Sequence, residues 1–435
     1  MTRAPVPRAT RVTPRTRGDW RSGPARQELI REHNLALVLA RILEPATPVT
    51  RAQIAQTTGL TRATVSDLVE SLVSAGLVTE LAPKAGTRAG RPGVPLAPAP
   101  RTIVGIGLDV AVDHLGVTVV DLSGRTVSQR VVEGDLRDSN PARTLTRLAG
   151  MVSSMAEEVT DAGMRPAGVA LAVPGLTDAS GTVRFAPNLG WHDVPALTRV
   201  REESGLTGIP WTVGNDADLA ARAECQARAR ATEGPVADQD FVYVAGHFGL
   251  GGAVIRHGVL AAGLHGWGGE IGHAPMDPLG PDCTCGANGC VEQYAGRHIV
   301  MRRAGLEPTA RTDVLLDLLD PGDGPDGADS ARIEQAGKAV QVAAGAVGRA
   351  AAMAANIVDL DVIVLGGLYA DLFDHVAPTV REEVGRRVLS AQWVPLTVER
   401  ALVRELASLR GAALSVLETV AAEPSLWTGR NVTVP

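Results

Sequence analysis

The chain has 435 residues, of which 45% are hydrophobic but only 3% aromatic, and a net charge of -6. That length is enough for two or three domains with cores of their own. No apolar run approaches the roughly 20 residues that a membrane span requires, because even the Ala-rich stretch around Met353 is broken by Arg349.

The charge is unevenly placed. Residues 1–100 carry 14 Lys and Arg against 7 Asp and Glu, leaving 28 against 41 for the rest. A basic front end on an acidic body points to one module for a polyanion and another for something else; a merely basic tail would leave the same imbalance. Residues 1–26 hold Arg, Pro and Thr without the apolar centre of a secretory signal and read as a disordered basic tail. Of four cysteines, Cys283, Cys285 and Cys290 fall together, which in a chain lacking an export signal favours metal over disulfide and a cytoplasmic location.

Residues 27–82 carry the pattern of a winged helix-turn-helix. Leu29, Ile30, Leu35, Leu37, Val38, Ile42 and Leu43 form an apolar stripe on a helix over 27–44 that Pro45 and Pro48 end. Thr50 and Gln53 make the T-x-x-Q capping box of a second helix, which stops before Gly59. Thr61 caps a third helix with Val65, Leu68, Val69, Leu72 and Val73 on its inner face and Gly76 as its stop. Two short helices meeting at a glycine turn make a helix-turn-helix, although a three-helix fold used for protein contacts would look alike. Residues 77–81 are strand-like, and 83–100, rich in Gly, Pro and Arg, have the composition of a wing and linker. On this reading Thr61, Arg62, Ala63, Thr64 and Ser66 meet double-stranded DNA in the major groove, with Arg62 the residue suited to a base edge. Arg88 and Arg91 suit the minor groove, though solvated linker arginines are common.

Beyond residue 100, apolar strands at 103–108, 168–173 and 362–365 alternate with Ala-rich helical segments. The expected architecture is α/β. His273 with Cys283, Cys285 and Cys290 gives H-x9-C-x-C-x4-C. One imidazole and three thiolates make a closed tetrahedral set, the pattern of structural Zn2+ with no open position for a reactive water. Three buried free cysteines are the alternative.

Two segments, 269–273 (G-E-I-G-H) and 283–292 (C-T-C-G-A-N-G-C-V-E), closely resemble the signature of the ROK family of repressors and sugar kinases. The likeness extends over about 101–420 through Pro174-Gly175, 188–191, 214–217, 249–252 and 364–367. It implies a two-lobed actin/hexokinase-like (ribonuclease H-like) domain, with a small lobe of 101–214 plus 406–432 and a large lobe of 215–405. With a winged helix-turn-helix in front, it looks like the repressor branch, whose members bind operators as homodimers or homotetramers and respond to a sugar. The resemblance implies a sugar pocket of Gly175, Asn188, Asn215, Asp216, Glu270, His273 and Glu292, groups able to pair with vicinal hydroxyls.

In the family's kinases Asp216 would be the general base, so an ATP-dependent, glucokinase-like activity is the alternative reading. Phosphoryl transfer also needs glycine turns whose backbone approaches the phosphates closely. Where the kinases read G-x-D-x-G-G-T-K, this chain has Gly107, Asp109, Ala111, Val112, Asp113 and His114 in the corresponding run, and Phe248 stands where they carry Thr. A carboxylate at Asp113 is expected to repel a triphosphate, leaving a binding domain and not an enzyme.

Overall fold

The computed structural model describes residues 25–44, 47–82, 93–232, 234–320 and 330–428. The basic tail through residue 24, Pro45, Arg88 and Arg91 lie outside the described residues.

The head follows its local signals. Helix α1 (Ala25–Leu43) leads to β1 (Val49–Thr50), α2 (Arg51–Thr58) and α3 (Arg62–Ser74). Thr50 and Gln53 form the reciprocal capping box of α2, Gly59 closes it in a left-handed conformation, and the Thr61 hydroxyl accepts the Thr64 N–H to start α3. Each device supplies partners for backbone groups that the helix ends leave free. Val65, Leu68, Val69 and Leu72 are buried as their spacing requires, together with Leu35, Val38, Leu39 and Ile42 of α1. Leu29 and Ile30 are instead about half exposed, so the apolar stripe of α1 is buried only from Leu35 onward.

Strands β2 (Val78–Glu80) and β3 (Pro95–Pro98) then pair antiparallel, and β3 also pairs with β1. Of the expected linker over 83–100, residues 95–98 are therefore sheet, and only four residues separate them from the first strand of the body at Ile103. Thr102 Oγ1 donates to the Gly76 carbonyl at 2.6 Å, fastening that junction to the foot of α3.

The body holds two five-stranded sheets of one plan. The first uses β4 (Ile103–Val110), β5 (His114–Asp121), β6 (Thr126–Glu133), then α4 (Pro141–Asp161) and β7 (Arg165–Val173). A small antiparallel sheet of β8 (Leu176–Thr177), β9 (Val183–Ala186) and β10 (Trp191–Val194) precedes α5 (Ala196–Ser204), β11 (Trp211–Asn215) and α6 (Asp216–Ala231).

The second sheet uses β12 (Phe241–Gly246), β13 (Gly251–Arg256) and β14 (Val259–Leu260). A helical insertion follows: α7 (Glu292–Ala295), α8 (Arg297–Arg303), α9 (Thr312–Leu319) and α10 (Ser330–Val358). The chain continues with β15 (Val362–Gly367), α11 (Leu368–Asp371), α12 (Phe373–Arg387) and β16 (Thr397–Arg400), and ends on α13 (Ala407–Ala422) and α14 (Ser425–Thr428).

The orders are β6-β5-β4-β7-β11 and β14-β13-β12-β15-β16, each an antiparallel meander of three strands extended by two parallel strands. The same topology twice is the duplicated, ribonuclease H-like plan. No sequence period announces it, because what repeats is the pairing order and not the residues.

Helix α13 packs on β4, β5 and β7 and on α6, which also meets β13. Helix α13 thus completes the first lobe although it follows the second in sequence. One apolar cluster runs from Leu35, Val38 and Leu39 of the head through Ala412, Leu414 and Leu417 of α13. Among the described residues no helix is long and apolar enough to cross a membrane.

Candidate functional site

The cleft between the two sheets has a volume of about 250 Å3, and all seven residues of the expected sugar pocket line it: Gly175, Asn188, Asn215, Asp216, Glu270, His273 and Glu292. They come from the ends of β7 and β11, the starts of α6 and α7, the turn between β9 and β10 and the segment after β14, spread over more than a hundred residues.

Asn215 ends β11 and caps α6. Its Oδ1 accepts the Ala217 N–H at 2.8 Å and its Nδ2 donates to the Gly175 carbonyl at 3.2 Å. Asp216 opens α6, where the helix dipole favours a carboxylate, and its Oδ2 lies 3.3 Å from Nδ1 of His247. Burial disfavours the charged His247 ring, but the hydrogen bond and charge of Asp216 prevail and raise its pKa. Glu270 is pushed up to about 7 by burial and then by the neighbouring Asp216 and Glu292. Glu292 is 2% exposed; its Oε2 accepts the Leu250 N–H at 3.0 Å, while Oε1 has no partner. Gly249 makes this possible, since a Cβ there would lie 2.0 Å from Glu292 Oε2 and 2.8 Å from Asn188 Nδ2.

His273 sits at the junction of the cleft with a cysteine knuckle. Its ligand atom and the sulfurs of Cys283, Cys285 and Cys290 all lie within 4.8 Å of one another. The His273 Nδ1 is 3.8 Å from Cys283 Sγ, and Cys285 and Cys290 are 3.7 Å apart, all free thiols. Gly289, at φ 67°, brings its backbone so near Asp277 that a Cβ would lie 1.5 Å from the Asp277 carbonyl. Burial and the adjacent thiols push Cys290 up to about 12. These four residues form a set able to bind a metal ion.

The far half of the cleft holds Asp109, Asp113, His114, Arg297 and Ser408. Asp113 Oδ1 is 2.8 Å from His114 Nδ1, and its Oδ2 is 3.1 Å from Arg297 Nη1. Burial works against both charges, yet the hydrogen bond between them and the flanking ions hold Asp113 down at about 2 and His114 up at about 10. Repulsion by a bare Asp113 charge is therefore corrected: the carboxylate is neutralised by two cations. Phe248 is equally fixed, stacked on His298 with ring centroids 4.8 Å apart.

His247, Arg297 and Ser408 carry no motif in the sequence. His247 directly follows β12 and precedes the 249–252 loop, a position that the strand-then-glycine pattern marks; Arg297 and Ser408 have no local signal.

On the head, Thr61, Arg62, Ala63 and Ser66 are exposed and Thr64 is half-buried. Thr61 is occupied in capping, with its hydroxyl 2.9 Å from that of Thr64. Asp67 is paired with Arg31 at 2.7 Å, which removes one negative charge from the presented face.

The IclR helix-turn-helix profile matches residues 35–82. The xylose repressor of Bacillus subtilis (strain 168) is 29% identical over 279 residues, 64% of this chain and 69% of the repressor. A glucokinase of Streptomyces coelicolor (strain ATCC BAA-471 / A3(2) / M145) is 31% identical over 69% of this chain and 97% of that enzyme. In fold, the crystal structure of a ROK family transcriptional regulator, a homolog of the E. coli MLC protein, superposes with a TM-score of 0.72 at 20% identity, covering 92% of this chain and 99% of that one. The ROK family profile itself matches residues 105–419, the whole two-lobed body that forms the cleft, and the chain belongs to the ROK family.

Proposed function

We propose that this protein is a sequence-specific, DNA-binding transcriptional repressor of carbohydrate genes whose ROK body binds a sugar as effector. The observation that carries the reading is the union of an IclR-type helix-turn-helix with a ROK body through a shared apolar core. The relatives named as repressors support it. Residues 27–82 form the operator-reading head, with Arg62 at the base edges and Thr61, Ala63, Thr64 and Ser66 around it. The body divides into a small lobe of 101–214 plus α13 and a large lobe of 215–405.

Gly175, Asn188, Asn215, Asp216, Glu270, His273 and Glu292 hold the sugar. Structural zinc on His273, Cys283, Cys285 and Cys290 fixes the imidazole so that the nitrogen facing away from the knuckle meets a hydroxyl. The protein acts in the cytoplasm as a homodimer or homotetramer, as palindromic operators require of a helix-turn-helix. The far half of the cleft, closed by the Asp113, His114 and Arg297 cluster, no longer seats a nucleotide.

The second reading, an ATP-dependent sugar kinase, is favoured by one observation: Asp216 stands in the cleft with His247 behind it, placed for general-base chemistry. Genomic footprinting of the purified protein, repeated with a panel of sugars, tests the first reading. Protected operators whose occupancy changes with a sugar support it, and Arg62→Ala should weaken those sites by about 1–3 kcal/mol. A coupled assay with ATP and hexoses tests the second, and turnover abolished by Asp216→Asn would reverse the order.

A further inference from the structure

A second cavity, of about 290 Å3, lies where the head meets the body and shares no lining residue with the cleft between the sheets. Its apolar lining includes Leu43 of α1, Leu414 and Leu417 of α13, Leu122 after β5 and Val236 before β12. Helix α6 supplies its polar side. Arg222 is paired with Glu418 at 2.6 Å, and Gln226 donates to the same carboxylate at 2.9 Å. Glu44, the other acid of the lining, lies 3.3 Å from Arg41.

Arg230 is the exception. Among the described residues no hydrogen bond or ion pair reaches it. A Cβ at Gly124 would lie 2.2 Å from Arg230 Nη1, and Arg410 Nη2 donates to the Gly124 carbonyl at 2.7 Å, so two guanidinium groups meet at one turn. Arg410 bonds that carbonyl and the Thr126 hydroxyl, not a carboxylate. Asp121 attracts Arg230 through space, but its oxygens already accept from the N–H groups of Arg101, Ser123 and Arg125 and from the Ser123 hydroxyl. Burial first and Arg410 second lower the pKa of Arg230, and burial lowers that of Arg410.

A guanidinium keeps its charge and its five donors wherever it is placed. The carbonyl end of α6 eases the charge of Arg230 without supplying a bond. A carboxylate or phosphate takes such donors in a charge-assisted pair, and an apolar body behind that head would meet the leucines.

The geometry points to a second ligand site at the joint of head and body, for a small amphipathic organic anion whose acidic head meets Arg230 and whose apolar body lies among Leu43, Leu414 and Leu417. An occupant bears on α1 and α13 at once. The inference holds whether or not the cleft takes a sugar.

The test is titration calorimetry of the full chain with hexanoate and hexyl phosphate, beside hexan-1-ol and inorganic phosphate at constant ionic strength, and a crystal of the same chain soaked with para-bromobenzoate. At least one amphipathic anion is expected to bind, with the alcohol and inorganic phosphate each at least about tenfold weaker. Arg230→Gln should lower that affinity by at least about tenfold, and Arg230→Lys should restore part of it. The anomalous bromine signal should fall in this cavity. An alcohol that binds as tightly overturns the role of the charge, and inorganic phosphate that binds as tightly overturns the role of the apolar body. Failure of both amphipathic anions, unchanged affinity in Arg230→Gln, or bromine seated only in the cleft overturns the site.

Discussion

Ser408 Oγ donates a 2.5 Å hydrogen bond to Asp109 Oδ2, tying the first turn of α13 to the first long strand of the body at the floor of the cleft. The residue before α13's start, Leu406, also lines the cleft and is held in the left-handed region at φ 47°, a cost of the kind that persists where surrounding structure over-determines it. At its other end α13 shares an apolar core with α1 of the head. Sixteen helical residues span about 24 Å, so one rigid element touches both the ligand site and the DNA-reading module. A route between the cleft and the head therefore runs through α13 itself.

Ser408→Ala should remove the hydrogen bond to Asp109 Oδ2, leaving that buried carboxylate only the His114 ion pair, and destabilise the body by about 1–3 kcal/mol. If α13 transmits occupancy, the same variant should retain operator affinity without sugar and lose much of the sugar-dependent release. Unchanged release in a gel-shift titration would rule out this route.

The head and small lobe should melt together. Leu39 is fully buried in the cluster they share, and Leu39→Ala should cost about 2–5 kcal/mol. Calorimetry should show the head and the small lobe moving down in temperature as one transition. A head transition that shifts alone would mean that the two do not share a core in solution.

The Asp113 and His114 pair predicts a pH dependence. The groups facing His114 are Asp109 and Asp113 on the same hairpin, Arg297 from α8 beyond Asp113, and Ser408 from α13 behind Asp109. The folded pKa of His114, about 10, lies above its ordinary 6.5. Its contribution to stability is therefore complete below 6.5 and is lost as pH rises through about 10. Asp113, lowered from 3.8 to about 2, contributes above 3.8 and loses that contribution as pH falls through about 2. Urea midpoints should decline from pH 6.5 toward pH 10, and His114→Gln should flatten that decline. An equal slope in the variant would assign it to other groups.

Gly249→Ala should abolish sugar binding, because the new Cβ falls on Glu292 Oε2 and against Asn188. The side chains can retreat only by leaving the cleft geometry. Thermal shift with the effector should vanish while the unliganded melting temperature falls by a few degrees at most. Retained affinity would show that Glu292 and Asn188 do not contact the ligand.

Metal removal should unfold the knuckle. The purified protein is expected to contain one zinc per chain by mass spectrometry. Chelation or Cys285→Ser should lower the melting temperature and weaken sugar binding together, since His273 belongs to both sites. A parent protein free of metal, with unchanged melting in the variant, would contradict the assignment.

What the amino-acid order settled by itself is local. The capping box of Thr50 and Gln53, the Thr61 cap and the apolar spacing in α3 each depend on partners within four residues, and the Cys283, Cys285 and Cys290 knuckle closes over a short loop. Such contacts need no knowledge of the fold. The tertiary structure alone decided that Arg297 neutralises Asp113 across 184 residues and that Ser408 reaches Asp109 across 299. It also decided that Leu29 and Ile30 stay exposed and that the head is seated on α13. Those outcomes depend on which surfaces two duplicated sheets bring face to face. A pairing between distant residues leaves no period in the chain from which to read it.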